Sequence, residues 1–389
     1  MSFWKRSTNL KVLSKRISKL PSLNNKAYQI KGSPHCYYIS RSSSNFTTAS
    51  ESDNSFLQNQ SPSLRIRYTC NKRPGQQRRG FSSSQAMAEP STSLTDAVVT
   101  AMRTLFPEEL ADSAWDNTGL LLGQAPQSLF SFKAEEENGG TILLTNDLTS
   151  AVVDEALEQG ARMIVCYHPV IFRPLKSLTT KDPMQTLLLR LAAERISVYC
   201  PHTAMDAASG GLNDWLCDIL LDGEHSVNRT VVQPISRPLP EGHQGMGYGR
   251  AVELARPVTL QTLLKRLSAG IGNQRYMMVA MPPSLNDLTK TQEITKIAVC
   301  AGSGSDVLKD TDAQVLVTGE MAHHYALRHT QLGQIVVTVF HSNSERKYLE
   351  TRLKPMLEVE LETTTYGGTR VIVSKADRDP FEVIDVRGL

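Results

Sequence analysis

Residues 141–201 read TILLTNDLTSAVVDEALEQGARMIVCYHPVIFRPLKSLTTKDPMQTLLLRLAAERISVYCP, and this segment alternates two patterns. Three nearly all-apolar runs have the composition of strands buried on both faces: Thr141–Asn146, Arg162–Tyr167 and Ile196–Pro201. The two longer runs between them carry apolar residues at helical spacing. A β-α-β-α-β order of this kind predicts an α/β fold with a mainly parallel sheet that is covered on both faces.

The same alternation resumes after Thr295, beyond a segment that is rich in proline and glycine and has no period. We therefore predict one domain over residues 89–389. It would consist of two α/β lobes, about 93–233 and 294–388, which flank a middle segment at 234–293.

The net charge of +3 averages two unlike parts of the chain. Residues 1–88 contain fifteen basic and two acidic residues, a net charge of +13, whereas the remainder contains 27 basic and 37 acidic residues, a net charge of −10. An acidic body lacks the basic stripe that DNA or RNA requires, so we expect no nucleic-acid partner. No apolar run approaches the length of a membrane span, so we expect no membrane insertion.

The first 88 residues are rich in Ser, Asn, Lys and Arg, which is typical of a mitochondrial transit peptide. Four apolar residues in this leader recur at helical spacing between basic ones: Leu10, Leu13, Ile17 and Leu20. We predict a mitochondrial location, with a non-targeting basic tail as the alternative. Translation from Met87 would give a form in the cytoplasm or nucleus.

Metal-binding side chains follow three of the predicted strands. His168 follows the first, Asp206 lies in a turn after the second, and His341 and Glu345 follow the third, one helical turn apart. Open α/β sheets place their sites at the carboxyl ends of strands, so these groups and the phenol of Tyr167 could converge. Imidazoles with carboxylates are the donor set of a hydrolytic site, where a divalent cation lowers the pKa of water.

Each of these residues also has a purely structural interpretation. A single histidine at a strand end is more often a satisfied polar group, and Asp206 could simply cap a helix or turn. Ser342 and Glu345 fit the capping-box pattern of a helix start. After another predicted strand come Glu320, His323 and His324, for which we expect a role around the ligands or against the substrate.

Five motifs in this order resemble the Nif-three-like family, whose bacterial members are called GTP cyclohydrolase 1 type 2 homologues. The motifs are Asp116–Leu120, Tyr167–Pro169, His202–Asp206, Gly319–His324 and His341–Glu345. The resemblance extends from about residue 93 to 388 and implies two similar lobes that face a central metal cleft. It also implies a toroidal homohexamer and two divalent cations per chain.

Residue by residue, the resemblance places metal ligands at His168, Asp206, His341 and Glu345. The remaining ligand of the family is a histidine, and Tyr167 occupies that position here. A neutral phenol is a poor ligand, so either one cation is weakly held or the site is mononuclear. Zn²⁺, Mn²⁺, Fe²⁺ and Mg²⁺ are all compatible with mixed nitrogen and oxygen ligands.

Two hypotheses follow for the function. The first is a metal-dependent hydrolase of a small, perhaps nucleotide-like, molecule, in which Glu320, His323 or His324 acts as acid or base. The second is a non-catalytic metal-binding scaffold that binds protein partners, since the family is named after an interaction with a transcriptional regulator. None of the quoted residues specifies a purine pocket.

Overall fold

The computed structural model describes three segments and two short strands of the chain: residues 93–124, 140–285 and 293–388, with Tyr28–Gln29 and Cys36–Tyr37. The chain separates into two units, Met1–Ala86 and Met87–Leu389. In the first unit the two short strands pair antiparallel. The predicted amphipathic helix of the leader lies outside the described residues, and the elements below all belong to the second unit.

The first sheet has five strands: β1 (Gly119–Leu122), β2 (Thr141–Thr145), β3 (Ala161–Cys166), β4 (Ser197–Cys200) and β11 (Arg370–Val373). Their order across the sheet is β11-β2-β3-β4-β1. Only β1 is antiparallel to its neighbour, so this sheet is mainly parallel, as the sequence predicts. Every residue of β2 and β4 is buried, in agreement with a sheet that is covered on both faces.

The second sheet has six strands: β5 (Ser226–Pro234), β6 (Gly247–Val258), β7 (Met278–Ala280), β8 (Ile294–Ser303), β9 (Val315–Glu320) and β10 (Ile335–Thr338). Their order is β5-β6-β8-β9-β10-β7, and only β8, β9 and β10 are mutually parallel. The other pairings are antiparallel, so this sheet is mixed rather than mainly parallel. Three of the five pairings of this sheet, those of β5 with β6, of β6 with β8 and of β10 with β7, are thus antiparallel.

Ten helices accompany the strands in the described segments: α1 (Leu94–Leu105), α2 (Ser150–Glu158), α3 (Pro183–Ala193), α4 (His202–Ala207), α5 (Leu212–Leu221), α6 (Leu260–Gly270), α7 (Ser305–Leu308), α8 (His323–Gln331), α9 (Arg346–Tyr348) and α10 (Lys354–Glu362). The π-helical turn Leu349–Leu353 links α9 to α10. Single 3₁₀ turns lie at Glu108–Leu110, Pro283–Leu285, Ser342–Ser344 and Val386–Gly388. The described helices include none that is long and apolar enough to cross a membrane.

The two sheets share one continuous buried core. It contains Ile142 and Leu144 of β2, Ile297 and Val299 of β8, and the apolar faces of α1, α5 and α10. A second cluster joins α2 and α3 to the other face of the first sheet, and a small third cluster lies on the other face of the second sheet. The fold is thus an α/β architecture with two sheets around shared helices.

Both sheets are completed by strands that are distant in the sequence. Although β11 is near the C-terminus, it pairs with β2, with Arg370 opposite Thr141. Strands β5, β6 and β7, which begin near or within the predicted middle segment, complete the second sheet. The backbone N–H and C=O groups along the edges of β2, β8 and β10 form hydrogen bonds with these strands. Local sequence patterns do not show which distant strand will pair with a given edge. The lobe boundaries themselves stay a prediction.

Candidate metal centre

Loops from both sheets bring three of the five predicted ligands together. His168 follows β3, whereas His341 and Glu345 flank the 3₁₀ turn after β10. One nitrogen or oxygen atom from each of the three lies within 4.8 Å of the others. This triad unites the carboxyl ends of two strands that belong to different sheets, as the strand-end pattern predicts.

The carboxylate of Glu345 is at the centre of the triad and is only 1% exposed. Its Oε2 atom lies 3.5 Å from Nε2 of His168, and its Oε1 atom lies 3.6 Å from Nε2 of His341. The side-chain amide of Asn146 donates a hydrogen bond of 3.0 Å to Oε2. A buried carboxylate is stable only with such partners, and here each oxygen faces one imidazole.

Two further carboxylates fix the orientation of the imidazoles. Nδ1 of His168 is 2.8 Å from Oδ1 of Asp147, and Nδ1 of His341 is 3.2 Å from Oε2 of Glu320. Both rings therefore turn Nε2 towards Glu345, the arrangement that orients histidine ligands in metal sites. Sequence reasoning missed Asp147, although it follows β2 at the same edge of the sheet and the strand-end rule could have found it.

The backbone at the end of β8 approaches two side chains of the triad closely. Gly302, at the end of β8, has φ +61°, and a Cβ atom there would lie 2.7 Å from Oε1 of Glu345 and 3.2 Å from Nε2 of His341. Phe340, next to His341, also has a positive φ of 68°. Strained backbone at a non-glycine residue is typical of functional sites, and only glycine permits the approach at residue 302.

The other two predicted ligands, Tyr167 and Asp206, bind each other beside the triad. The hydroxyl of Tyr167, a residue only 2% exposed, donates a hydrogen bond of 2.7 Å to Oδ1 of Asp206. Burial raises the pKa of Asp206 to about 6. Burial and the charges of Asp206 and Glu345 raise the pKa of Tyr167 well above its ordinary value, so the phenol stays neutral.

His202 is held beside the triad by a second buried carboxylate. Its Nδ1 atom is 2.7 Å from Oδ1 of Asp116, which also accepts a hydrogen bond from the amide of Asn117. The hydroxyl and amide of Thr203 bind the other oxygen of Asp116. His202 has φ +33°, and its ring centroid lies 5.6 Å from that of His168. Asp116 was quoted only as part of a motif, and the structure gives it this positioning role.

The structure separates the three residues that the sequence offered as acids or bases. Glu320 binds His341 as described above, and its side chain is about half exposed. His323 and His324 are exposed at the start of α8, with their ring centroids 5.3 Å apart. Within the described segments, neither of these two histidines has a hydrogen bond or ring contact with the triad.

Without a bound cation, His168 should make the stability of the fold depend on pH. Burial lowers its pKa, but the charge of Glu345 and the hydrogen bond to Asp147 outweigh burial and raise the pKa from 6.5 to about 9. A raised pKa stabilises the fold fully below pH 6.5, and this contribution is lost as the pH rises through 9. With a chelator present, raising the pH through this range should therefore lower the free energy of unfolding of the parent. The decrease should be larger than that of His168→Gln by on the order of 2 kcal/mol.

Urea unfolding of both proteins at pH 6.5 and pH 10 measures this difference. Parallel pH dependence in the two proteins would show that His168 carries no excess proton in the folded state.

The donor set fits a divalent cation. Two imidazole nitrogens and one carboxylate form the three-ligand set found at catalytic zinc sites and at non-haem ferrous sites. Beside this set, the buried Oδ1 atom of Asn146 has no hydrogen-bond partner among the described residues, while the Nδ2 atom of the same amide binds Glu345. His168, His341 and Glu345 are thus a possible metal-binding triad.

The comparisons with known proteins agree with this fold. The model of the Duf34/NIF3 (NGG1p interacting factor 3) family matches residues 94–380, and the chain belongs to this family. It is 40% identical over 281 residues to "Protein NIF3 homolog" of Schizosaccharomyces pombe, covering 72% of this chain and 94% of that protein. It is 37% identical over 294 residues to "NGG1-interacting factor 3" of Saccharomyces cerevisiae, covering 74% and 96%.

A solved structure has the same fold. The Bacillus cereus protein related to NIF3 superposes with a TM-score of 0.59 at 19% identity, covering 74% of this chain and 98% of that chain. The predicted fold class, two α/β lobes, is thereby confirmed.

Proposed function

We propose that this protein is a divalent-metal-dependent hydrolase of a small, nucleotide-like substrate. The observation that carries the proposal is the orientation of the triad: two imidazoles, each held at Nδ1 by a carboxylate, turn Nε2 to one buried carboxylate. Such preorganisation requires the burial of the Glu345 carboxylate, and a purely structural contact would not require it.

The proposed reaction requires residues that bind the cation and residues that transfer protons. His168, His341 and Glu345 would hold the cation, which as a Lewis acid polarises a substrate bond and acidifies water. His202 is placed to move a proton, because Asp116 occupies its Nδ1 atom and leaves Nε2 for the cleft. Glu320 keeps its proposed role as acid or base, combined with the orientation of His341.

Removal of the central carboxylate should abolish tight metal binding. Glu345→Gln keeps the shape of the side chain but removes a charged ligand, so we expect the affinity for Zn²⁺ to fall by about 100-fold or more. Calorimetric titration with Zn²⁺ measures this loss, and Glu350→Gln, an exposed change a few residues along, is the matched control. Equal affinity in the parent and in Glu345→Gln would place the cation elsewhere.

The same two variants test catalysis. The metal-loaded parent and Glu350→Gln should hydrolyse at least one member of a nucleotide panel, and Glu345→Gln should not. Tight metal binding without hydrolysis of any compound would contradict the hydrolase and favour the second candidate.

The second candidate is a metal-binding scaffold for a protein partner. The hydrogen bond between Tyr167 and Asp206 favours it. Tyr167 stands where the family resemblance expects a metal ligand, and a scaffold would tolerate the loss of that ligand. The printed name of the Saccharomyces cerevisiae relative, an NGG1-interacting factor, also fits a protein partner. A homohexamer and mitochondrial import belong to the proposal too, and rest on the family resemblance and the basic leader.

A further inference from the structure

An exposed aromatic pair lies beside the candidate metal centre. Trp115, from the loop before β1, is 51% exposed, and Phe172, from the loop after β3, is 46% exposed. Their ring centroids are 5.9 Å apart. Leu175 and Leu178, on the same loop as Phe172, are also exposed. We name these four residues the aromatic lip. Exposed large apolar side chains that contact each other, as Trp115 and Phe172 do, commonly mark a binding surface.

A series of ring contacts connects the aromatic lip to the triad. The Trp115 ring meets the His202 ring edge-on, with centroids 5.8 Å apart and planes at 85°. The His202 ring in turn lies 5.6 Å from that of His168. A molecule on the lip would therefore be within two side chains of the proposed cation.

The two loops that form the lip are fixed to each other. The side-chain amide of Asn117 donates a hydrogen bond to the backbone carbonyl of Ile171. Asp116, next to Trp115, is bound by His202 and Thr203 of α4. The backbone next to Trp115 and Phe172 is thus held in place before a ligand binds, which lowers the entropy cost of binding.

The charge of the lip differs from that of the triad. Arg173 and Lys176 are exposed on the loop that carries Phe172, and neither has an ion-pair partner in the part of the chain that the structure describes. Carboxylates surround the triad, in contrast: Asp147, Asp206 and Glu320. Exposed basic groups on the same loop as an exposed aromatic ring suit a ligand that combines a planar ring with an anionic group.

We propose that the aromatic lip binds the planar ring of a small anionic molecule, with Arg173 and Lys176 receiving the anion. That this molecule is the substrate rests on the proposed function, whereas binding of the ring requires no cation. The chemistry resembles base stacking on aromatic side chains, which tolerates many rings because each has a π-face.

The test compares small molecules that carry a planar ring, an anionic group or both. Guanosine 5′-monophosphate, uridine 5′-monophosphate and flavin mononucleotide combine ring and phosphate, guanosine has the ring alone, and ribose 5-phosphate has the anion alone. Calorimetry on the full chain, both metal-stripped and Zn²⁺-loaded, should show tighter binding of at least one ring-bearing phosphate than of ribose 5-phosphate. Trp115→Ala should weaken that binding about tenfold.

Matched variants separate the contributions. Tyr276→Ala removes an exposed aromatic side chain that has no described contact with the lip, and should leave binding unchanged. Arg173→Gln combined with Lys176→Gln should weaken binding of the phosphates but not of guanosine. If no ring-bearing probe binds, or if Trp115→Ala binds as tightly as Tyr276→Ala, the proposal is wrong.

Zn²⁺ titration of the same variants keeps the two proposals distinguishable. Loss of ring binding with intact Zn²⁺ affinity would overturn only the lip. Ring binding without Zn²⁺ affinity would support the lip and overturn the metal-dependent hydrolase.

Discussion

Replacing Tyr167 with histidine should raise the number of divalent cations bound per chain from one to two. In the parent, the buried, neutral phenol donates a hydrogen bond to Oδ1 of Asp206, so the phenol is no ligand and one oxygen of Asp206 is already bound. An imidazole at this position would remove that donor and add a nitrogen ligand. Asp206 would then be available as a carboxylate ligand next to the triad.

The matched control is Tyr167→Phe, which removes the hydroxyl without supplying a ligand. This variant should still bind one cation, because His168, His341 and Glu345 are unchanged. Elemental analysis after dialysis measures the stoichiometry directly, and circular dichroism checks that each variant is folded. Two cations in the parent would show that Tyr167 does not prevent binding of a second cation. One cation in Tyr167→His would show that a different feature of the fold prevents it.

The strand-end rule identified three residues that the structure brings together. It identified His168, His341 and Glu345 because each follows a strongly apolar strand, and such strands are recognisable locally. It could not show that Asp206 would bind Tyr167 rather than join the triad. That choice depends on a 2.7 Å contact between residues that follow different strands, and on burial that makes the neutral phenol the favoured form.

Long-range pairing was the part of the fold that local patterns could not reveal. The helix start at Ser93 was predictable, and the structure shows its capping box with Asp96. The pairing of β11 with β2 joins segments more than 200 residues apart in the sequence, and many apolar strands would satisfy the same edge equally well. The role of Gly302 in leaving space for Glu345 was likewise not predictable, because it depends on a residue far along the chain.

Arg250→Met should destabilise the fold by about 3–5 kcal/mol, the range expected when one partner of a buried ion pair is removed. Arg250 lies in β6, is 3% exposed, and forms charge-assisted hydrogen bonds to both oxygens of Asp214. It also donates to the backbone carbonyls of Gly247 and Gly249. The cost includes leaving these buried acceptors without a donor, in addition to loss of the charge pair.

Arg250 also links the second sheet to the helix that carries Asp206. Its Nη2 atom lies 3.0 Å from each of the carbonyl oxygens of Ala207 and Ala208, at the end of α4. Arg250→Lys should rescue only part of the stability, because an ammonium group cannot reproduce the planar set of guanidinium donors.

Urea unfolding measures the cost, with Arg190→Met as the control. Arg190 also pairs with an aspartate, Asp154, but both side chains are largely exposed, so we expect a loss of no more than about 1 kcal/mol. Equal losses in Arg190→Met and Arg250→Met would mean that the buried network contributes nothing beyond a surface pair. A much larger loss in Arg250→Met would mean that the buried network, which ties β6 to the end of α4 and to Asp214, stabilises the fold far more than a surface pair does.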